Sequence, residues 1–340
     1  MPAGNNSIKI PGNYFNKCAI PIKRRLLYDG NIIPYIVKIL RHLTTYSLPL
    51  PCTQVMARIN SRVFLESILK LTRVWNLLII AFAQYFTAWF LIGKWSSVLN
   101  DVRFFLLCCS TVLIAAAGYI INDYYDVKID LINKPDRVVV GKSITRRFAI
   151  LFHVIFSITG ILIGLSLSWR LGVVNVFCVF LLWLYSNNLK RLPFIGNFTV
   201  AFLTGISIYC VDLFYHTGSA LVIIYAVFSF FMTLVREIIK DMEDLKGDNT
   251  FGCKTLPIVW GVRKTKIAIY VTLLIFAAIV LLLNQFYAGL QLYYFLIFLF
   301  VPLLILIFRL IRADTIKDYA WLSSFCKLIM LLGILSMAFV

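Results

Sequence analysis

The run from Val102 to Asp130 reads VRFFLLCCSTVLIAAAGYIINDYYDVKID. Its first two-thirds are apolar for about 20 residues, the length at which a helix crosses the hydrocarbon core of a bilayer. Its last third gathers Asn122, Asp123, Asp126 and Asp130 without a break. A carboxylate at the end of a membrane helix is costly without a partner, so this junction marks both a span and a site. A second junction of the same kind follows the apolar stretch 219–239, where residues 241–248 read DMEDLKGD. Asp241, Asp244 and Asp248 there repeat the i, i+3, i+7 spacing of Asp123, Asp126 and Asp130. On a helix this spacing stacks three carboxylates along one face, where they repel unless a cation intervenes.

The rest of the chain agrees with the first span. Apolar and aromatic residues make up 61% of the 340 residues and charged residues 14%, against roughly 45–50% and 25% in soluble domains. The mean hydropathy is +0.88. These values exclude a disordered chain and a soluble globular enzyme, and they predict an all-α, polytopic membrane protein. Apolar runs place about nine spans, near 74–93, 102–121, 148–168, 171–187, 194–215, 219–239, 265–283, 291–311 and 321–340. Lys and Arg crowd the connections after the second, fourth, sixth and eighth spans and are sparse in the others. By the positive-inside rule this places the N-terminus and both acidic clusters in the cytoplasm and the C-terminus outside. The same rule accounts for the net charge of +18 without nucleic acid as a partner. The eight Cys form no CxxC pair and the three His are scattered, which leaves no recognisable zinc site. No signal peptide opens the chain. Residues 1–65 read as a basic extension, cytoplasmic or on the membrane surface, and residues 66–340 as the membrane domain. Its basic residues suit an anionic leaflet; a poorly ordered extension fits them equally.

Two carboxylate clusters on one side of a membrane suit Mg2+, which takes oxygen ligands and completes its shell with water and substrate phosphates. Lys134, Arg137, Lys190 and Arg191 lie beside the clusters, and metal, Lys and Arg on one face make a site for a diphosphate. Read singly, each cation is also an ordinary topological anchor. A transporter of isoprenoid or ion would carry its ionisable residues at mid-span; here they gather at span ends, with Asp212 and Lys327 as exceptions.

These residues carry a resemblance. NDYYDVKIDLINKPDR (122–137) resembles the first aspartate-rich signature of the UbiA family of intramembrane prenyltransferases, and REIIKDMEDLKGDNTFGCKTLP (236–257) resembles the second with its tail. Arg73 and Asn76 are similar to the family's R-x-x-N start, and Tyr185-Ser186, Lys190-Arg191 and Gly196-Asn197 to its middle motif. Val74 and Val138 stand where many members carry proline, and neither change removes a functional group. The resemblance implies nine helices around a central cavity and two Mg2+ ions. It implies transfer of a prenyl group from an isoprenyl diphosphate donor to a lipophilic acceptor within membrane lipid. Asn122, Asp123, Asp126 and Asp130 fall on the first metal–diphosphate site and Asp241, Asp244 and Asp248 on the second. Of these, Asp126, Asp130, Asp244 and Asp248 rank highest as catalytic. Arg73, Asn76, Lys134, Arg137, Tyr185, Lys190 and Arg191 fall on the substrate-binding set.

The KDMEDLKGD run and KTLP tail look most like the branch that makes digeranylgeranylglyceryl phosphate, and like chlorophyll synthases. A geranylgeranyl donor and geranylgeranylglyceryl phosphate, or a related polar alcohol, as acceptor are therefore expected; quinone-precursor acceptors of the 4-hydroxybenzoate or naphthoate type and chlorophyllide are the alternatives. Cations beyond those that metal and diphosphate require, including Lys240, Lys246 and Lys254, suit an acceptor with its own phosphate. Tyr124, Tyr125 and Tyr185 are candidates to face an allylic cation. No general base stands out.

Overall fold

A computed structural model describes residues 61–95, 97–286 and 299–339. Within them the chain is helical. Helix α1 (Ser61–Leu71) leads into α2 (Val74–Phe86), which ends in a π-helical turn at Thr87–Leu91. There follow α3 (Val102–Asn133), α4 (Arg146–Leu167), α5 (Trp169–Asn187), α6 (Ile195–Tyr215) and α7 (Ala220–Glu243). The short α8 (Leu245–Thr250) precedes α9 (Leu256–Phe286), kinked at Gly261, where φ is 77°. Helices α10 (Val301–Arg312) and α11 (Ile316–Ser336) close the described chain.

Eight helical segments in the described residues are long and apolar enough to cross a membrane. They match the expected spans except the eighth, 291–311, which lies partly outside the described residues and whose described part is α10. Residues 1–60, most of the expected extension, also lie outside them.

The apolar surface is distributed as lipid requires. On α4, Leu151, Val154, Ile155, Ile158 and Leu162 are exposed, while its buried face holds Gly160 and Gly164. Small residues there admit close helix approach. Ser110 donates to the Gly160 carbonyl at 2.7 Å, and Asn175 donates to Ser110 at 2.8 Å and to the same carbonyl at 3.1 Å. This buried polar knot ties α3, α4 and α5 together with every participant satisfied, as a water-free interior demands.

Two packing units flank the middle of the bundle. Helix α3 packs chiefly on α4 and α5, and α7 on α6, α9 and α11. Helix α7 is the most enclosed of the spans, with Met232, Val235, Ile238 and Ile239 fully buried. Helix α3 is the longest: 32 residues extend about 48 Å, well beyond an apolar core of about 30 Å. It does not stop at Ile121, where the apolar run ends, but continues through the whole first cluster. No Gly or Pro stands between Ile121 and Pro135, and cations from elsewhere offset the repulsion along its acidic face.

Candidate active site between the two aspartate clusters

Arg73 occupies the joint between α1 and α2 in the left-handed region, φ 51° and ψ 54°. A non-glycine residue there is strained and held by its surroundings. Its guanidinium donates to Asp123 Oδ1 at 2.7 Å and lies over the Tyr119 ring, 5.1 Å from the centroid. Lys190, on the single 3-10 turn Leu189–Arg191 after α5, reaches Asp126 Oδ1 at 2.6 Å and Asn122 Oδ1 at 3.2 Å. Burial draws the Lys190 ammonium below the usual lysine range, and Asp126 opposes that shift. Three segments far apart in sequence thus converge on the first cluster.

The second cluster is not one helical face. Asp241 lies in the last turn of α7, Asp244 sits at the break with φ −91° and ψ 6°, and Asp248 lies on α8. The repeat of three and four residues spans a bend, so the stacked-face arrangement holds for the first cluster only. Residues at the end of α3 fasten the bend. Asn133 donates to the Asp244 carbonyl at 3.1 Å and accepts from Gly247 N–H at 2.8 Å. Lys134 pairs with Glu243 at 2.9 Å and Asp244 at 2.8 Å. Gly247 leaves room for this tie, because a Cβ would meet the Asn133 amide and push that side chain aside. Asn197, from α6, donates to Asp241 Oδ2 at 2.9 Å.

Asp130 and Asp248 are left without a cation partner among the described residues. Burial, then Asp244, pushes the Asp248 carboxyl up to about 7. No three acidic, His or Cys side chains close into a complete cage in the described residues. Mg2+ does not require one, since it binds through one or two carboxylates plus substrate phosphates. Asp130 from the first cluster and Asp248 from the second, with Asp241 held only by the Asn197 amide, are therefore a donor set that fits hard cations.

Below the clusters lies a cavity of about 220 Å³ among α2, α3, α5, α6, α7 and α11. Ile79, Ile80, Ile114, Leu182 and Leu203 make much of its wall apolar. Its polar end holds Arg73, Asn76, Asn122, Tyr185 and Lys240 of the residues singled out in the sequence, and also Tyr119, Arg236 and Glu237. Tyr124 and Tyr125 do not line it; Tyr124 packs beside the cluster around Leu71 and Ile120, under Arg146. Arg137 and Arg191 are exposed, and what Arg191 gives the site is its backbone carbonyl, accepting from Lys254 N–H at 2.8 Å. Glu237 is the group the sequence reading missed: buried, paired with Arg236, and 3.9 Å from Lys240. Its signal was available, since an acid flanked by bases at i−1 and i+3 inside an apolar helix has no anchoring role.

An all-helical membrane bundle with two facing carboxylate clusters above an apolar cavity defines a class, the intramembrane transferases of long apolar groups. Residues 77–333 match the UbiA prenyltransferase family, and the chain belongs to that family. It is a multi-pass integral membrane prenyltransferase. Among its relatives, a digeranylgeranylglyceryl phosphate synthase of Saccharolobus solfataricus is 33% identical over 280 residues, 80% of this chain and 95% of that one. Another from Methanosphaera stadtmanae is 36% identical over 204 residues, 60% of this chain and 70% of that one. A solved structure concerned with digeranylgeranylglyceryl phosphate synthase superposes with a TM-score of 0.64 at 25% identity, over 81% of this chain and 98% of that one. A UbiA homologue from Archaeoglobus fulgidus bound to GPP and Mg2+ shares the fold, with a TM-score of 0.61 at 16% identity over 81% and 100%.

Proposed function

We propose that this protein transfers a geranylgeranyl group from geranylgeranyl diphosphate to the free hydroxyl of geranylgeranylglyceryl phosphate. The observation that carries the reading is the pair of carboxylate clusters facing one another, cations between them, at the polar end of an apolar cavity. The names of the relatives supply the acceptor.

Asp126, Asp130, Asp244 and Asp248, with Asn122, Asp123 and Asp241, would hold two Mg2+ ions, which when bound offset the charge of the diphosphate. Arg73, Asn76, Lys134 and Lys190 orient the diphosphate oxygens and keep the carboxylates in place, with Arg137 and Arg191 at the rim. The bond between the allylic carbon and the diphosphate oxygen breaks, and the acceptor oxygen bonds to that carbon. The hydroxyl proton leaves with the diphosphate. Tyr185 and Tyr119 line the cavity and are the aromatic candidates to stabilise the developing allylic charge, Arg73 already covering one face of Tyr119. The apolar wall excludes water, which would otherwise capture that carbon.

The distribution of Lys and Arg supports a site facing the cytoplasm, with the N-terminus inside and the C-terminus outside. Cysteines introduced near 136 and 250 are then labelled from the cytoplasmic face and one near 286 from outside. Residues 1–65 serve as an accessory extension to the catalytic domain at 66–340, so deleting 1–60 leaves turnover largely intact.

The experiment is to give the purified protein geranylgeranyl diphosphate and Mg2+ with geranylgeranylglyceryl phosphate, 4-hydroxybenzoate, a naphthoate and chlorophyllide, and to weigh the product. A digeranylgeranyl product is expected, and none in EDTA. Prenylation of an aromatic acceptor alone would refute the acceptor, and full activity in EDTA the metal.

A further inference from the structure

Apart from Lys240, which lines the cavity beside Glu237, the loop cations that the sequence offers for an acceptor phosphate are held by carboxylates or exposed outside the cavity. Lys134 is held by Glu243 and Asp244 and Lys190 by Asp126, and Arg191 is exposed. The cavity itself contains a different cationic group. Lys327 lies in the middle of α11, and its ammonium donates to the neutral Asn76 side chain at 3.3 Å. No carboxylate pairs with it among the described residues. Across the same cavity stands Arg236 of α7. Its Nη1 pairs with Glu237, and its buried Nε has no hydrogen-bond partner among the described residues. One turn further in, Thr233 also lines the cavity, and its buried hydroxyl is without a partner there too.

An unpaired ammonium and unmet donors are expensive in an apolar interior, and a structure retains them where something else satisfies them. The group they would satisfy is an anion with several acceptor oxygens. Glu237 does not serve, since Arg236 and Lys240 already share it.

We propose that Arg236, Lys327 and Thr233 form an anion subsite inside the cavity that binds the phosphate monoester of the acceptor, separate from the metal–diphosphate site. This rests on the acceptor being the prenylglyceryl phosphate proposed above. Arg236 and Thr233 lie deeper than the aspartates, and Lys327 borders the diphosphate set through Asn76. Arg236 precedes Asp241 by five residues on one helix, about 7.5 Å deeper along the helix axis, and Thr233 lies further in. The reacting allylic carbon lies between the diphosphate and the cavity, so the acceptor hydroxyl must approach from the cavity side. In a glyceryl phosphate, the phosphate on an end carbon is only a few bonds from the middle hydroxyl. A phosphate fixed on Arg236 and Lys327 therefore presents that hydroxyl toward the diphosphate end. The two residues act as specificity determinants: they choose an acceptor bearing a phosphate and orient it.

The test separates the two phosphate sources. Equilibrium binding is measured in EDTA, where the diphosphate site lacks its metal, for geranylgeranylglyceryl phosphate and for its dephosphorylated alcohol. The full-length wild type, Lys327→Met, Lys327→Arg and Arg236→Gln are compared. The wild type should bind the phosphate form more tightly. Lys327→Met should weaken that binding by about tenfold or more, the scale of one charge-assisted hydrogen bond, with the alcohol unaffected. Lys327→Arg should recover part of the loss. In turnover, Lys327→Met should raise the acceptor KM by a larger factor than the KM of the diphosphate donor, which it reaches only through Asn76. Should Arg236→Gln fail to fold through loss of the Glu237 pair, Lys327→Met decides alone, since its partner is neutral. Wild-type preference retained by Lys327→Met, no preference in the wild type, or weakened donor binding instead would each overturn the subsite. A wild type that prenylates only aromatic acceptors would refute the acceptor reading, while the binding comparison still judges the subsite.

Discussion

The first aspartate cluster rides on the end of a 32-residue helix, and the second straddles the break between α7 and α8. Their spacings in sequence are identical, yet their supports differ. Asp123 and Asp126 are set by the axis of α3 and each receives one cation, Arg73 or Lys190, from another part of the chain. Asp244 has no continuous helix under it. It is placed by Asn133, the last residue of the same α3, and by Lys134, which follows it. The first cluster thus carries the second: the helix that bears one set of carboxylates also fastens the other. Equal spacing does not mean equal rigidity, and the two halves should respond differently to perturbation.

The largest effect comes from removing a carboxylate from either half. Asp126→Ala and Asp244→Ala should each lower kcat on the order of 10²–10³-fold, the scale of losing one preorganised electrostatic stabiliser. Both variants should extract from membranes as monodisperse protein. A variant retaining near wild-type turnover would remove that half from the site and end the comparison.

The next effect is asymmetric. Asn133 touches no reacting atom, so Asn133→Ala tests the dependence of the second cluster on α3. It should raise the Mg2+ concentration for half-maximal turnover about tenfold or more, as loss of an outer support for metal ligands does. Gly247→Ala should act in the same direction, because its Cβ meets the Asn133 amide. An unchanged Mg2+ requirement in both variants would show that the break at Asp244 holds itself.

How far the sequence made this legible follows from range. The spans were readable because each is a local apolar run, and the first cluster because its spacing coincides with a helix that continues through it. The break at Asp244 was hidden, since the same spacing is compatible with a continuous helix; what bends the chain there is a tie to Asn133, more than a hundred residues away. The cavity-facing roles of Arg236 and Glu237 were hidden among loop charges, because a linear count of Lys and Arg assigns them to topology. Lys327 stood out as a charge inside a span, but its neighbour Asn76 lies on a helix at the other end of the domain. Tyr124 misled for the opposite reason. It lies within the motif, yet the helical rotation of α3 turns it to the α1 and α4 side and leaves Tyr119 facing the cavity.

The smallest effect sharpens the comparison through pH. Asp126 pairs with Lys190, whereas Asp248 forms no ion pair among the described residues, and burial with Asp244 pushes its carboxyl up to about 7 against the weaker pull of Lys240 and Lys190. A folded carboxyl raised above its unfolded value near 3.9 binds more protons than the unfolded chain between those two values. The metal-free protein should therefore lose stability as pH rises from about 4 to 7. Metal binding has the opposite dependence, because a ligand carboxyl must first shed its proton. At pH 6 only a tenth of a group titrating at 7 is ionised, and at pH 8 nine-tenths, so the apparent Mg2+ affinity should rise about tenfold between them. Thermal stabilisation by Mg2+ titrated at both pH values, without substrate, measures this directly. Asp248→Asn should bind Mg2+ more weakly and reduce the pH dependence, whereas Asp126→Asn should weaken binding and, by removing one of the charges that raise Asp248, move the dependence to lower pH. A wild-type Mg2+ midpoint that does not move between pH 6 and 8 would place Asp248 outside the metal's reach. The second cluster would then contribute through Asp241 and Asp244, with α8 serving only to close the bend.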